Sequence, residues 1–201
     1  YLVHTPIQAR QELIDKYTAK AERLGIDQDA ALVPGELHPG DHKRDVRVVR
    51  RIIQSDPVYA AMVEILDQNV GKLMRALEEA GIADDTVIMF TSDNGGLSTS
   101  EGSPTCNHPL SEGKGWMYEG GTREPMLVHW PGVTRQGSQC STPITSPDVY
   151  PTVLEIAGLD PKPEQHTDGL SFTALLRDPT TQLDREAIYW HYPHYGNQGD
   201  T

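Results

Sequence analysis

Residues 56–96 constrain the fold most: a long amphipathic helix, a short turn, an unbroken apolar run and a polar glycine loop succeed one another. Asp56 has the short carboxylate of an N-cap, and Pro57 falls at the first helical position, where a missing N–H costs nothing. Met62, Ile65, Leu66, Asn69, Val70, Leu73 and Leu77 recur at helical spacing, and Gly81 suits the residue just past the helix end. Ala83–Asp85 reads as a turn. Thr86–Thr91, TVIMFT, reads as a short strand buried on both faces. This order is α/β grammar. In such sheets the working residues collect beyond the carboxyl ends of strands, which here is Ser92-Asp93-Asn94-Gly95-Gly96.

The remaining elements are shorter. Residues 1–9 read as an extended loop and 10–24 as a helix with Leu13, Tyr17 and Leu24 on a loosely apolar face. Residues 33–45 are polar and rich in turn formers, so they read as a surface excursion. A second apolar run, Met126–Trp130, belongs with 86–91 in one central sheet with helices on both faces. Residues 146–157 read as a helix stopped by Gly158. Asp168-Gly169 reads as a turn before a short helix at 171–176, and 187–192 as a last strand.

The chain has 201 residues, enough for a hydrophobic core, with 17 basic and 29 acidic residues and a net charge of -12. That balance argues against a general nucleic-acid binder and leaves an anionic small substrate open, because local charge decides a pocket. No apolar run reaches the about 18 residues of a membrane span. Two cysteines, Cys106 and Cys140, establish no disulfide framework.

Several residues can carry chemistry. Asp93 and Asn94 offer a carboxylate and an amide oxygen, hard donors for calcium or magnesium, although Asp-Asn-Gly also closes strands as a simple turn. Lys114, between Gly113 and Gly115, can reach a bound anion or can be a solvated lysine in a flexible loop. Glu119 and Arg123 can pair across their glycine turn. His4 sits among Val3, Thr5 and Pro6. His191 and His194 lie in WHYPHY, 190–195, which suits a metal site, an aromatic lining or a packed edge alike. His108 can reach a pocket built from Asn94 and Lys114. Residues 42–44, HKR, read as a solvated face. The nucleotide phosphate loop, the serine-hydrolase elbow, HExxH and paired cysteines are all absent from the sequence.

Taken together, YLVHTPIQA at 1–9, TVIMFTSDNGG at 86–96, PLSEGKGWMYEGGTREPMLVHWPG at 109–132, SPDVYPTVLEIAGL at 146–159, TDGLSF at 167–172 and IYWHYPHY resemble the sulfatase family of the alkaline-phosphatase-like superfamily. The stretch around 27–55 lies outside the resemblance. The resemblance implies an α/β fold with a mixed central sheet and helices on both faces, incomplete in this chain. It implies that 1–185 is the carboxyl-side portion of a catalytic domain and 186–201 the start of a carboxyl-terminal subdomain. It implies that Asp93 and Asn94 ligate a divalent cation, Ca2+ or Mg2+, and that Lys114 contacts the sulfate. It implies that His4 contacts the ester and protonates the departing alcohol. Separately, WHYPHY suggests an aromatic and imidazole rim beside the pocket, with His191 and His194 as substrate-binding residues that can line a sugar ring. The family nucleophile is a formylglycine made within a C/S-x-P-x-R motif. Neither Cys106 nor Cys140 sits in one, so the nucleophile and the remaining metal ligands are expected upstream. Where the family often carries arginine ahead of Gly-Lys, this chain has Ser111-Glu112.

The implied function is hydrolysis of a sulfate ester on a carbohydrate, in a secreted, periplasmic or lysosomal protein. Two alternatives stand beside it: a phosphonate or phosphate monoester hydrolase of the same superfamily, and a non-catalytic cation- or glycan-binding module.

Overall fold

The computed structural model describes residues 2–38 and 43–192. His194 and the tail after it lie outside the described residues. The chain divides into two compact units, Tyr1–Gly81 with Thr91–Met126 and Trp190–Thr201, and Ile82–Phe90 with Leu127–Tyr189.

The first unit is built on two helices and a hairpin. Helix α1 spans Gln11–Arg23. Its Leu13 and Ala21 are buried, whereas Leu24 lies past the helix end and is exposed. Helix α2 spans Pro57–Glu79, and the Asp56 carboxylate accepts hydrogen bonds from the Val58 and Tyr59 N–H groups at 2.8 and 3.0 Å. That cap satisfies two of the donors a helix start leaves open. Gly81 takes φ 68 just beyond the helix. Lys16 of α1 meets Glu64 of α2 at 2.7 Å. Only Ala61 and Met62 of α2 are buried, while Leu73 and Met74 of its apolar stripe stay exposed.

Residues 33–45 were expected to be a surface excursion, but the chain forms an antiparallel hairpin there. Strand β1, Leu32–Leu37, pairs with β2, Arg47–Arg51, with a register shift between Pro34 and Leu37. A proline is tolerated in β1 because a two-stranded sheet leaves each strand one open edge that needs no N–H. Val48 is buried, and Arg51 is buried with its guanidinium bonded to Ser55 Oγ and the Ser103 carbonyl.

The second pairing joins β3, Ile88–Thr91, to β4, Met126–His129. Both expected strands therefore form and share a sheet. They are not buried on both faces: Ile88, Met89 and Phe90 are half-buried and Leu127 is 64% exposed. With a single neighbouring strand among the described residues, the apolar side chains lack cover. Residues 187–192 form no strand, and Tyr189 is 88% exposed. A strand needs a paired edge, and an apolar-aromatic run alone does not supply one.

The second unit is pinned by Asp148. A 3-10 turn at Ser146–Asp148 leads into α4, Val149–Ile156, and Thr145 with Asp148 forms a capping box. The fully buried Asp148 carboxylate accepts from the Thr145 N–H at 2.7 Å and the Leu170 N–H at 2.8 Å, and pairs with Arg185. The loop before α5, Thr173–Arg177, is fixed by the same group. Burial pushes the Asp148 carboxyl up, but the Arg185 guanidinium and the two N–H donors outweigh it and hold the group below its ordinary range. Among the described residues, no helix is long and apolar enough to cross a membrane.

Candidate active site

The site begins where β3 ends. Thr91 Oγ1 donates to the Pro125 carbonyl at 2.9 Å, and the chain then turns through Ser92, whose Oγ donates to the Asn94 carbonyl at 2.8 Å. Gly95 and Gly96 were expected to allow a sharp turn through backbone freedom. Neither takes a positive φ. Their role is close approach: a Cβ on Gly95 would run into the Gly120 carbonyl, and one on Gly113 would run into the Gly96 carbonyl. Hydrogen bonds complete the seam. Gly95 N–H donates to the Gly121 carbonyl at 3.2 Å, Lys114 N–H to Gly96 at 3.2 Å, and Gly120 N–H to Ser111 at 2.7 Å. SDNGG, GKG and the EGG turn, which opens helix α3 at Glu119–Thr122, thus pack as one backbone body.

Asn107 ties this body together and was not singled out in the sequence. Its Oδ1 accepts from the Gly96 N–H at 3.0 Å, and its Nδ2 donates to the carbonyls of Gly96 at 2.7 Å and Glu112 at 2.8 Å. An amide serves here because it offers donor and acceptor in one plane. Trp116 is buried and donates from Nε1 to Thr99 Oγ1 at 2.9 Å, which anchors the far side of the lysine loop. Glu119 and Arg123 do pair, at 3.3 Å, on the exposed rim.

His4 and Lys114 meet although 110 positions separate them. His4 Nδ1 lies 3.0 Å from the Thr5 carbonyl, so Nδ1–H donates there and Nε2 carries the lone pair. The Lys114 ammonium donates to that Nε2 at 2.9 Å. A base and a cation thus face each other, and the backbone N–H of that lysine is bonded to Gly96 of the SDNGG loop. His191 is exposed and is not part of this contact. His108 is also exposed, and its backbone N–H donates to Cys106 Sγ at 3.4 Å.

Asp93 and Asn94 fit a hard cation in type. Asn94 uses its Nδ2 on the Gly95 carbonyl at 3.0 Å, which leaves the Oδ1 lone pairs to ligate a cation. Close to Asp93 is Glu124, whose Oε1 is buried with no hydrogen-bond partner. Burial first, and then the Asp93 charge, push the Glu124 carboxyl above its ordinary range. Among the described residues, no group of three or more His, Cys, Asp or Glu converges as a complete metal shell. Calcium takes about six to eight oxygens, so Asp93 and Asn94 by themselves would make only part of such a shell.

The sequence profile of the sulfatase family matches residues 3–159. A sulfatase of Formosa agariphila is 42% identical over 149 residues, covering 68% of this chain and 26% of that protein. The human steryl-sulfatase is 34% identical over 140 residues, covering 67% of this chain and 24% of that protein. Among solved structures, Ps i-CgsB in complex with k-i-k-neocarrahexaose is similar at TM-score 0.62 and 33% identity, over 87% of this chain and 31% of that one. BT4656 in complex with its substrate D-glucosamine-2-N,6-O-disulfate is similar at TM-score 0.58 and 29% identity, over 71% of this chain and 27% of that one. The chain belongs to the sulfatase family. It spans about a quarter of the length of the curated relatives it matches.

Proposed function

We propose that the protein containing this chain hydrolyses a sulfate ester on a carbohydrate, and that this chain supplies the leaving-group and anion-holding side of the site. The observation that carries the reading is the 2.9 Å contact of Lys114 Nζ with His4 Nε2, on the backbone body that also presents Asp93 and Asn94. The carbohydrate preference rests on the k-i-k-neocarrahexaose and D-glucosamine-2-N,6-O-disulfate named for the similar structures.

The roles derive from charge. The departing oxygen gains negative charge as its bond to sulfur lengthens. Lys114 offers a fixed ammonium to the sulfuryl oxygens, whose charge it stabilises whatever the leaving group. His4, held by Thr5 with Nε2 free to take a proton, stands as the general acid to the bridging oxygen. In the resting contact the ammonium donates to Nε2. A sulfate entering between them accepts from both, once Nε2 is protonated. Asp93 and Asn94 would hold a divalent cation, calcium or magnesium, which supplies Lewis-acid polarisation of the ester. The nucleophile and the remaining ligands come from outside this chain, as does the completion of the domain to which residues 1–185 belong. His191 and His194 form a sugar-facing rim in this reading.

The test uses the intact protein and a series of aryl and sugar sulfates alongside the matching phosphate monoesters. Preference for sulfates, with Lys114→Ala slowing all of them, supports the reading. Preference for phosphate or phosphonate esters moves the protein to the alternative reaction.

A further inference from the structure

The lysine loop carries a carboxylate two residues before Lys114, a poor place for negative charge if an anion is to bind there. Glu112 is 12% exposed at its side chain and takes φ 63, a left-handed conformation unusual for a residue with a Cβ. Its carboxylate is gripped by one guanidinium: Arg50 Nε donates to Oε2 at 3.1 Å and Arg50 Nη2 to Oε1 at 2.6 Å. Arg50 belongs to β2, 62 positions away. The same Nη2 reaches both oxygens of Glu36 on β1 at 3.0 Å. Gly35 makes room for it, since a Cβ there would come within 3.0 Å of Arg50 Nη1. From the other side, Asn107 Nδ2 holds the Glu112 carbonyl at 2.8 Å. The hairpin therefore carries a planar cation that bridges its own Glu36 to Glu112 of the lysine loop.

We propose that Arg50 is a positioning residue for the anion site: through a bidentate pair it holds the Glu112 carboxylate away from Lys114 and fixes the backbone entering Gly113-Lys114-Gly115. The proposal rests on the reading of Lys114 as a sulfate contact. A guanidinium suits the task because its fork fixes direction as well as charge. Released from Arg50, Glu112 is free to turn toward the ammonium, compete with sulfate for it and repel the substrate.

The experiment measures KM and kcat for an aryl sulfate, and competitive inhibition by inorganic sulfate, in the intact protein. Arg50→Met is expected to raise KM and weaken sulfate inhibition by about fivefold, the upper range for a partly exposed charge pair, with kcat changing less. Adding Glu112→Gln to Arg50→Met is expected to restore both binding constants to within about twofold, since the competing carboxylate is gone. A double variant as weak as Arg50→Met, or an Arg50→Met protein that binds sulfate like wild type, overturns the proposal. If Arg50→Met does not fold, Arg50→Lys carries the same test: it keeps the charge, loses the fork, and its smaller weakening must disappear on adding Glu112→Gln. Lys114→Ala separates the two levels. Unchanged sulfate inhibition there removes the reading of the site and this proposal with it. Strong loss there, with no rescue by Glu112→Gln, removes only the role of Arg50.

Discussion

Lys114 Nζ lies 2.9 Å from His4 Nε2, across 110 positions of sequence. The lysine is placed by Gly113 against Gly96 and by Trp116 against Thr99, and the histidine by its own neighbour Thr5. The two groups are held independently, so their removal should be separable. Lys114→Ala should slow aryl sulfates of every leaving group by about a hundredfold or more, because it removes charge at the sulfuryl oxygens. His4→Ala should slow poor leaving groups far more than activated ones. A plot of log kcat/KM against leaving-group pKa checks this: its slope should steepen for His4→Ala and stay near wild type for Lys114→Ala.

Asn107 should behave as the tie between the two loops. Asn107→Ala removes three hydrogen bonds to Gly96 and Glu112 and should cost about 2–3 kcal/mol of stability. Asn107→Asp keeps the acceptor for the Gly96 N–H but points a carboxylate oxygen at two carbonyls, so it should be no better than alanine. Thermal unfolding of the two variants tests the order.

Metal removal should be felt through Asp93 and Glu124. Glu124 is held above its ordinary range by burial and by the Asp93 charge, so the folded state binds its proton more readily than the unfolded chain does. Stability of the metal-free protein should therefore fall as pH rises through and above the usual glutamate value of 4.5. Chelation should lower the Tm at pH 7, and Glu124→Gln should reduce that loss. Asp93→Ala should weaken calcium binding in titration calorimetry.

Asp148 and Arg185 make the opposite pH prediction. The folded-state carboxyl is held low, so the pair stabilises at neutral pH and its contribution is lost as pH falls below about 4, through the depressed value. Arg185→Met leaves a fully buried carboxylate without its cation and should cost about 3–5 kcal/mol at pH 7. The gap to wild type should narrow in acid, where the orphaned Asp148 can protonate. Denaturant unfolding at pH 7 and near pH 4 measures both.

The cap of α2 was legible because Asp56 and Pro57 act on adjacent backbone, and the strand at 88–91 because its residues are apolar without a break. The lysine and metal motifs were legible as types. What each glycine does was not: Gly95 looks like a turn residue in sequence, and only the facing carbonyl of Gly120 reveals close approach. The hairpin was hidden by Pro34 and Gly35, which read as breakers. A bulged edge strand accepts the proline, and the glycine makes way for Arg50. Ser111-Glu112 read as a departure from the family pattern, with no sign of a partner 62 positions away. Residues 187–192 have strand composition, but a strand exists only against a neighbour, which composition does not encode.

The central claim is tested most directly by assaying the intact, metal-loaded protein on one aryl group carried as sulfate and as phosphate monoester, with Lys114→Ala in parallel. Sulfate should be released faster than phosphate, with the sulfate rate reduced about a hundredfold or more by Lys114→Ala. Faster phosphate release, or sulfate turnover unaffected by Lys114→Ala, contradicts that claim.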